Sequence, residues 1–358
     1  MAVRVGVVGT NFGAVVHAPA FLSEGAEVVL CGHDPSQLKA AAERLGVSES
    51  TLSFDALLAD DTLDIVSIAT PPALHAQMAI SALEAGKHVL VEKPFAHDAP
   101  SAARMVDAAR SSDRVAMVAH EFRYSSARRR TAELIAEGYI GSPRFALARF
   151  LTGVRRPTGP REYRPEDDSA ADGAGLLFRI GSHYVDCFRF WLGEVVGVSG
   201  AVWTLEPDRV EAGVPVAADA DDAYSFRLDF ANGCFAEMFG TRDAPFGADF
   251  GITVVGSEGI LLTPQEGVNP PPHGELLGAR LGDDGLAPIP IPERLEPFAD
   301  ARDERMAPFR MLVRDLLRAI DEHGDSPAPN FDDGYRCQVV LDAIRHAAEE
   351  GRFVKVPS

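Results

Sequence analysis

Apolar positions along the chain follow two different rhythms, and the change falls near residue 124. Before it, short apolar runs alternate with amphipathic, alanine-rich stretches. "VRVGVVG" (3–9), "EVVLCG" (27–32), "IVSIAT" (65–70), "HVLVE" (88–92) and "VAMVAH" (115–120) predict strands, and the segments near 14–23, 35–46, 73–86 and 98–111 predict helices. In "DPSQLKAAAERLG", Asp34 suits an N-cap, Pro35 a first turn and Gly46 a C-cap. Strands that are apolar on both sides of the pleat are buried on both faces, and their alternation with helices makes the sheet parallel. Residues 1–124 therefore predict a doubly wound parallel sheet. Such a sheet binds ligands outside the carboxyl ends of its strands.

After residue 124 the pattern lengthens. A helix over 127–138 precedes "RFALARFLT" (144–152), "VVGVSGAVWTL" (195–205), "AYSFRLDF" (223–230), "CFAEMFGT" (234–241) and "GITVVGS" (251–257). Phe226, Leu228 and Phe230 share one face of their strand, and Ser225, Arg227 and Asp229 the other, the period of a half-covered antiparallel strand. Asn232-Gly233 predicts a two-residue hairpin turn. The proline-rich text at 264–292 reads as irregular, and helices over 307–322 and 332–350 close the chain. Residues 125–358 thus predict an α+β domain on an open, mostly antiparallel sheet, whose outer face is wet or covered in a homodimer or homotetramer. A length of 358 residues fits two domains, since one core seldom grows past roughly 250–300 residues.

Charge and cysteine usage narrow the function. With 53 acidic against 34 basic residues the formal net charge is −19, a surface that repels phosphate backbones and excludes nucleic acid as a partner. The four cysteines, at 31, 187, 234 and 337, have neither metal-ligand spacing nor the density of a disulfide framework. The start of the chain enters a strand directly, without a signal-peptide pattern, and no apolar run approaches the ~20 residues of a membrane helix. A soluble, cytoplasmic protein without a metal is the expectation.

Candidate chemistry gathers at the strand ends. "VGVVGTNFGA" (5–14) is a strand, a glycine turn and a helix, in which Gly9, Thr10, Asn11, Phe12 and Gly13 would receive the pyrophosphate of a dinucleotide. Asn11 stands where the fingerprint has its second glycine, and asparagine also tolerates left-handed backbone. At the end of the second strand an acid would select NAD and a basic residue NADP. Gly32 occupies that place, Asp34 is better used as a cap, and His33 follows Gly32, so the reading leans to NADP. In "ATPPALH" (69–75), Thr70, Pro71 and Pro72 stiffen a turn over the nucleotide edge, and His75 is either a cofactor contact or a first-turn residue in water. Of the 34 basic residues four are lysines, at 39, 87, 93 and 355. One of these, in Glu92-Lys93-Pro94, ends an apolar strand.

These motifs together resemble the glucose–fructose oxidoreductase / inositol dehydrogenase / MocA (Gfo/Idh/MocA) family. "AGKHVLVEKP", "GSHYVDCFRFWLGE" (181–194) and "NFDDGYRCQVVLDAIRHAAEEGR" (330–352) carry the resemblance over essentially the whole chain. It implies an N-terminal Rossmann domain that binds NAD(P), and a C-terminal domain for substrate and oligomerisation. It also implies hydride transfer between nicotinamide and a hydroxyl or carbonyl carbon of a sugar, cyclitol or related polyhydroxylated molecule. Lys93 would stand beside the nicotinamide, where an ammonium can stabilise alkoxide charge, with Glu92 and Pro94 shaping its turn. His183 would face the substrate hydroxyl as acid or base, with Asp186 orienting it or capping a neighbour. The family usually places an aspartate four residues before that histidine. Here Arg179 stands there, on the face of His183 if the helix is continuous, where it would bind a substrate carboxylate or phosphate or point elsewhere. Arg123 is a candidate for cofactor or substrate contact or, equally, for an interdomain salt bridge, and Tyr163 and Arg164 are candidates for substrate contact in an expected loop over the cleft, "RRPTGPREYRP" (155–165). Two alternatives stay open: a cofactor-binding regulator without catalysis, and an NAD-dependent glycosidase of the same family.

Overall fold

The computed structural model describes residues 2–153, 161–170, 173–244, 250–265, 275–297, 299–300 and 302–357. It divides into two compact units, Met1–Glu121 with Asp300–Gln338, and Phe122–Ala299 with Val339–Ser358.

In the first unit the apolar runs become strands β1 (Arg4–Val8), β2 (Glu27–Cys31), β3 (Glu49–Thr51), β4 (Ile65–Ile68), β5 (His88–Val91) and β6 (Ala116–Val118). They form one parallel sheet in the order β3-β2-β1-β4-β5-β6. Val5, Val7, Ile65, Val66, Ile68, Val89, Leu90 and Val91 have no solvent contact, because helices cover both faces. A π-helical turn (Gly13–His17) runs into α1 (Ala18–Ser23), and α2 (Pro35–Leu45), α3 (Phe54–Leu58), α4 (Pro72–Glu84) and α5 (Ala99–Arg110) follow. The expected caps of α2 are present: the Asp34 carboxylate accepts from the amides of Ser36 and Gln37, and Gly46 is left-handed. The pattern missed β3 and α3, since three polar residues at a sheet edge show no apolar alternation. The strand order reverses between β1 and β4, the switch point beside which doubly wound sheets bind their ligands.

By compactness, a stretch well after residue 124 clusters with the first unit. α9 (Met306–Asp321) belongs to the first unit. Phe309 lies 4.4 Å from the ring of His17, and Arg310 and Arg314 both engage Glu24. The loop after α9 then covers the sheet edge, where Val118 donates to the Pro329 carbonyl and Ala116 to Ser326 Oγ.

The second unit begins with α6 (Ser126–Ala136), β7 (Pro143–Leu151), β8 (Arg161–Glu162) and α7 (Pro165–Asp168). A second π-helical turn (Leu177–Gly181) leads into α8 (Ser182–Leu192). Strands β9 (Val195–Trp203), β10 (Asp208–Glu211), β11 (Val214–Ala217), β12 (Ala223–Phe230), β13 (Phe235–Thr241), β14 (Phe250–Gly256), β15 (Gly259–Gln265), β16 (Leu277–Arg280) and β17 (Ala287–Pro288) follow. α10 (Phe331–Glu350) contains the division between units, and β18 (Val354–Lys355) ends the chain. The main sheet runs β17-β16-β15-β14-β7-β13-β12-β9-β18, antiparallel except where β13 pairs with β7, and β11-β10-β8 form a small separate sheet. Of the stretch expected to be irregular, 266–274 lies outside the described residues, while β15, β16 and β17 bring parts of the rest into the sheet.

On β12 the expected alternation holds: Phe226, Leu228 and Phe230 are buried, Arg227 is exposed, and Ser225 and Asp229 are partly exposed. The outer face also exposes Leu147, Trp203 and Phe239. The β12–β13 turn differs from the expected two-residue form. The amide of Gly233 donates to the Phe230 carbonyl and that of Phe230 to the Cys234 carbonyl, so three residues span the turn and Gly233 takes the positive φ of 86°. Asn232 instead uses its side chain, donating to the Leu192 carbonyl and accepting from the Cys234 amide. All four cysteines are buried free thiols. Among the described residues no cluster of side chains could hold a metal, and no helix is long and apolar enough to cross a membrane.

Candidate active site

The first unit brings the nucleotide candidates to one edge of its sheet. β1, β4 and β5 are neighbours, so the turn after β1 (Gly9 to Gly13), Thr70 to Pro72 after β4, and Glu92 to Pro94 after β5 follow adjacent strand ends. Gly9 has φ 124°, and a Cβ there would lie 2.3 Å from the Ala69 carbonyl oxygen, so only glycine fits. Asn11 does not use left-handed backbone: among described residues other than glycine only Ala212 and His323 have positive φ. The Asn11 carbonyl instead accepts from the amides of Ala14 and Val15 as the helical run begins. That run presents amide donors and a positive helix end to the turn, the feature that receives a pyrophosphate. Phe12 packs edge-on against His17 and Phe309, with the Arg305 guanidinium 4.9 Å from its ring centre.

Beside this turn, a Cβ on Gly32 would meet Thr10 Cγ2 at 2.6 Å, so the position cannot carry an acidic side chain while Thr10 stays. Asp34 is lowered from the usual carboxylate range by the Ser36 hydroxyl and the Gln37 amide, in its capping role. His33, Ser36 and Gln37 are exposed, and Thr10 Oγ1 donates to Gln37 Oε1. These residues could hold a nicotinamide dinucleotide, with the backbone amides after Gly9 offered to its pyrophosphate.

At the end of β5 the Glu92 amide donates to the Ile68 carbonyl and extends the ladder. The chain then turns through a cis Lys93–Pro94 bond. Glu92 is turned inward. Its Oε1 meets His17 Nε2 at 3.1 Å, and its Oε2 accepts from the Lys93 amide at 3.0 Å. Burial would push this carboxyl up, but the His17 hydrogen bond and the Lys93 charge hold it below the usual range. Glu121, 1% exposed, behaves oppositely: burial, then the charge of Glu92, raise it from 4.5 to about 8.

His75 is neither of the two things the sequence offered. It is fully buried, with Nδ1 at 3.0 Å from the Pro94 carbonyl and 3.3 Å from that of Phe95, and Nε2 at 2.8 Å from the Thr70 carbonyl. It therefore cannot touch a cofactor. It ties the end of β4 to the turn that carries Lys93. Glu92 likewise spends both oxygens inside the protein. Sequence reasoning missed His17, Ser67 and Glu121. The available signal was a serine inside the apolar run "IVSIAT" and a histidine on the buried side of the first helix.

In the second unit, α8 carries His183. The entry is fixed by Asp221, whose carboxylate accepts from the Leu177 amide at 2.8 Å and which burial pushes up to about 6. His183 is buried and stacks on Phe122, ring centres 3.7 Å apart and 12° from parallel. Arg128 lies 4.8 Å from the same Phe122 ring and 5.1 Å from that of Tyr184. Asp186, a candidate for orienting His183 or capping a neighbour, has a further partner. It forms a buried two-pronged pair with Arg123, at 2.6 and 2.7 Å. Arg123, a candidate for cofactor or substrate contact or an interdomain salt bridge, makes this pair with a residue of its own unit. Arg179 pairs with Asp167, so an acid lies against the position where the sequence shows none. Tyr163 is half-buried and its amide donates to the Val210 carbonyl, while the Arg164 amide donates to Asp168. Of the expected cleft loop, 155–160 lies outside the described residues.

Comparison with known proteins agrees with this geometry. Residues 3–120 match the model of the oxidoreductase family with an NAD-binding Rossmann fold, and residues 129–262 match the GFO/IDH/MocA C-terminal domain. Levoglucosan dehydrogenase of Pseudarthrobacter phenanthrenivorans is 29% identical over 99% of this chain and 98% of its own. The 1,5-anhydro-D-fructose reductase of Ensifer adhaerens is 32% identical over 68% of this chain and 70% of its own. A levoglucosan dehydrogenase structure in complex with NADH and levoglucosan superposes with TM-score 0.89 and 27% identity over all of both chains. The chain belongs to the Gfo/Idh/MocA family of NAD(P)-dependent oxidoreductases.

Proposed function

We propose that this protein interconverts a hydroxyl and a carbonyl on an uncharged sugar or anhydrosugar, with Lys93 and His183 as its polar catalytic pair. The observation that carries the proposal is the place of Lys93. It ends β5, two strands from the glycine turn, in a sheet of order 3-2-1-4-5-6, with two buried carboxyl groups beside it. The bound nicotinamide would take up or release the hydride. In oxidation the carbinol C–H bond breaks with its electron pair as the hydroxyl loses its proton. The imidazole of His183 suits that proton transfer, and the Lys93 ammonium stabilises charge on the oxygen. In reduction the same groups return the proton.

The sugar class is supported by the two relatives and by Arg179. A free guanidinium there would favour an anionic substrate. Its pairing with Asp167 removes that ground and favours a neutral one. The cofactor preference leans to NADP(H), because no acid other than the capping Asp34 stands at the end of β2. A titration in which NAD(H) binds tenfold or more tightly, about 1.4 kcal/mol, contradicts that preference. The apolar outer face of the main sheet supports a homodimer or homotetramer joined there, and a monomer by light scattering at micromolar concentration contradicts it. Four buried free thiols agree with a reducing, cytoplasmic setting.

The deciding experiment follows absorbance at 340 nm with NAD(H) or NADP(H) and a panel of neutral sugars, anhydrosugars and sugar acids. A net change with a neutral sugar is expected. Sugar release without net change would make the protein a glycosidase. Tight cofactor binding with neither would make it a regulator.

A further inference from the structure

The buried side of the Lys93 turn holds a polar chain that the proposed chemistry does not use. Ser67 on β4 and His17 at the end of the first π-helical turn are wholly inaccessible, and Glu92 is 6% exposed. His17 Nδ1 stands 2.7 Å from Ser67 Oγ and His17 Nε2 3.1 Å from Glu92 Oε1, while Glu92 Oε2 accepts from the Lys93 amide at 3.0 Å. A carboxylate only accepts, so Nε2 carries a proton and donates it to Glu92. Nδ1 then accepts from the Ser67 hydroxyl. Phe12 and Phe309 close around the imidazole at 5.5 and 4.4 Å. An ionised carboxylate is kept this deep only when it is paired and hydrogen-bonded, and His17 supplies the hydrogen bond.

We propose that His17 is a positioning residue for Lys93: through Glu92 it fixes the peptide of Lys93 and keeps a negative charge beside its ammonium. The charged and titratable groups around this pair are His17 from the π-helical turn, His75 from α4, Glu121 beyond β6, and Arg305 ahead of α9, which acts on Glu121. Glu121 stays uncharged near neutrality, so Glu92 supplies the negative charge on this side. Removing the His17 donor leaves the Glu92 carboxyl buried without it, and it then takes up a proton. The ammonium of Lys93 loses its counter-charge and gives up its proton at lower pH. Because His17 belongs to the helical run that starts at the nucleotide turn, the same chain joins that turn to the lysine. The catalytic meaning of this arrangement rests on the role proposed for Lys93.

The test uses the scarcity of lysine. Reductive methylation with 13C-formaldehyde labels four lysines and the N-terminal amine, and Lys93→Met identifies the Lys93 signal. In the full-length protein its titration midpoint should fall by about one pH unit in Glu92→Gln and in His17→Phe, which keeps the aromatic packing. His17→Gln, whose amide can still donate to Glu92, should stay near wild type. Where substrate turnover is available, the high-pH limb of kcat in the reduction direction should move with the signal, and KM for cofactor should change less than threefold. A Lys93 midpoint unmoved in both Glu92→Gln and His17→Phe overturns the inference, whatever their thermal stability. If His17→Phe does not fold, Glu92→Gln and His17→Gln still decide: equal midpoints in both contradict the account. Full turnover in Lys93→Met would instead sink the catalytic role and leave the titration result standing.

Discussion

Two lysines flank the same four-residue strand. Lys87 precedes β5 and Lys93 follows it by two residues. Lys87 is 6% exposed and donates to the carbonyls of Asp60 and Leu63 at 2.7 and 2.9 Å. Its ammonium ties down the loop before β4. Lys93 is half-buried and borders two buried carboxyl groups, one held ionised and one held protonated. Residue type and strand are the same, so the end of the strand makes the difference. At the amino edge of a parallel sheet neutral carbonyls meet the charge and fix it. At the carboxyl edge, next to the switch point, the surroundings titrate and a ligand can enter.

The comparison breaks first on activity. Lys93→Met and His183→Ala should each lower kcat by ~10²–10⁴, the scale of a positioned acid–base group, while NAD(P)H affinity measured by fluorescence stays within a few-fold. A smaller effect comes from Asp186→Asn, which leaves the buried Arg123 without its carboxylate. Breaking a buried pair in this way costs about 3–5 kcal/mol, and urea unfolding followed by circular dichroism measures it. Lys87→Met should cost less, about 1–3 kcal/mol for its unsatisfied carbonyls, and should leave kcat per folded molecule unchanged.

A further effect sharpens the contrast through pH. Glu121 is raised in the folded protein to about 8 from 4.5. Below pH 4.5 it is protonated in both states. Between 4.5 and about 8 the unfolded chain releases a proton that the folded protein keeps, so this group lowers stability as pH rises through that window, by at most about 1.4 kcal/mol per pH unit. Glu121→Gln should therefore gain stability over wild type progressively from pH 5 to pH 8. A constant difference across that range would show that Glu121 is ionised when folded.

The sequence disclosed those parts of this arrangement that are local in the chain. The glycine turn, the caps of α2 and the alternation on β12 depend on neighbours one to four residues away, and each is found where expected. Relations across space were hidden. Arg179 looks uncompensated along its helix, yet Asp167 reaches it from α7. His75 looks exposed in a first helical turn, yet three carbonyls surround it. The apolar side of α9 predicts a helix but does not say which core it joins, and Phe309 places it against His17. Asn11 in the second glycine's place does not draw on asparagine's tolerance of left-handed backbone, since its carbonyl starts the helix.

The most direct test of the central claim sets Lys93→Met beside Lys87→Met in one assay: kcat per folded molecule with cofactor and the best neutral sugar, alongside unfolding free energy. The account predicts a loss of at least a hundredfold in kcat with near-native stability for Lys93→Met, and native kcat with reduced stability for Lys87→Met. Native kcat in Lys93→Met, or equal losses of kcat in both, would contradict it.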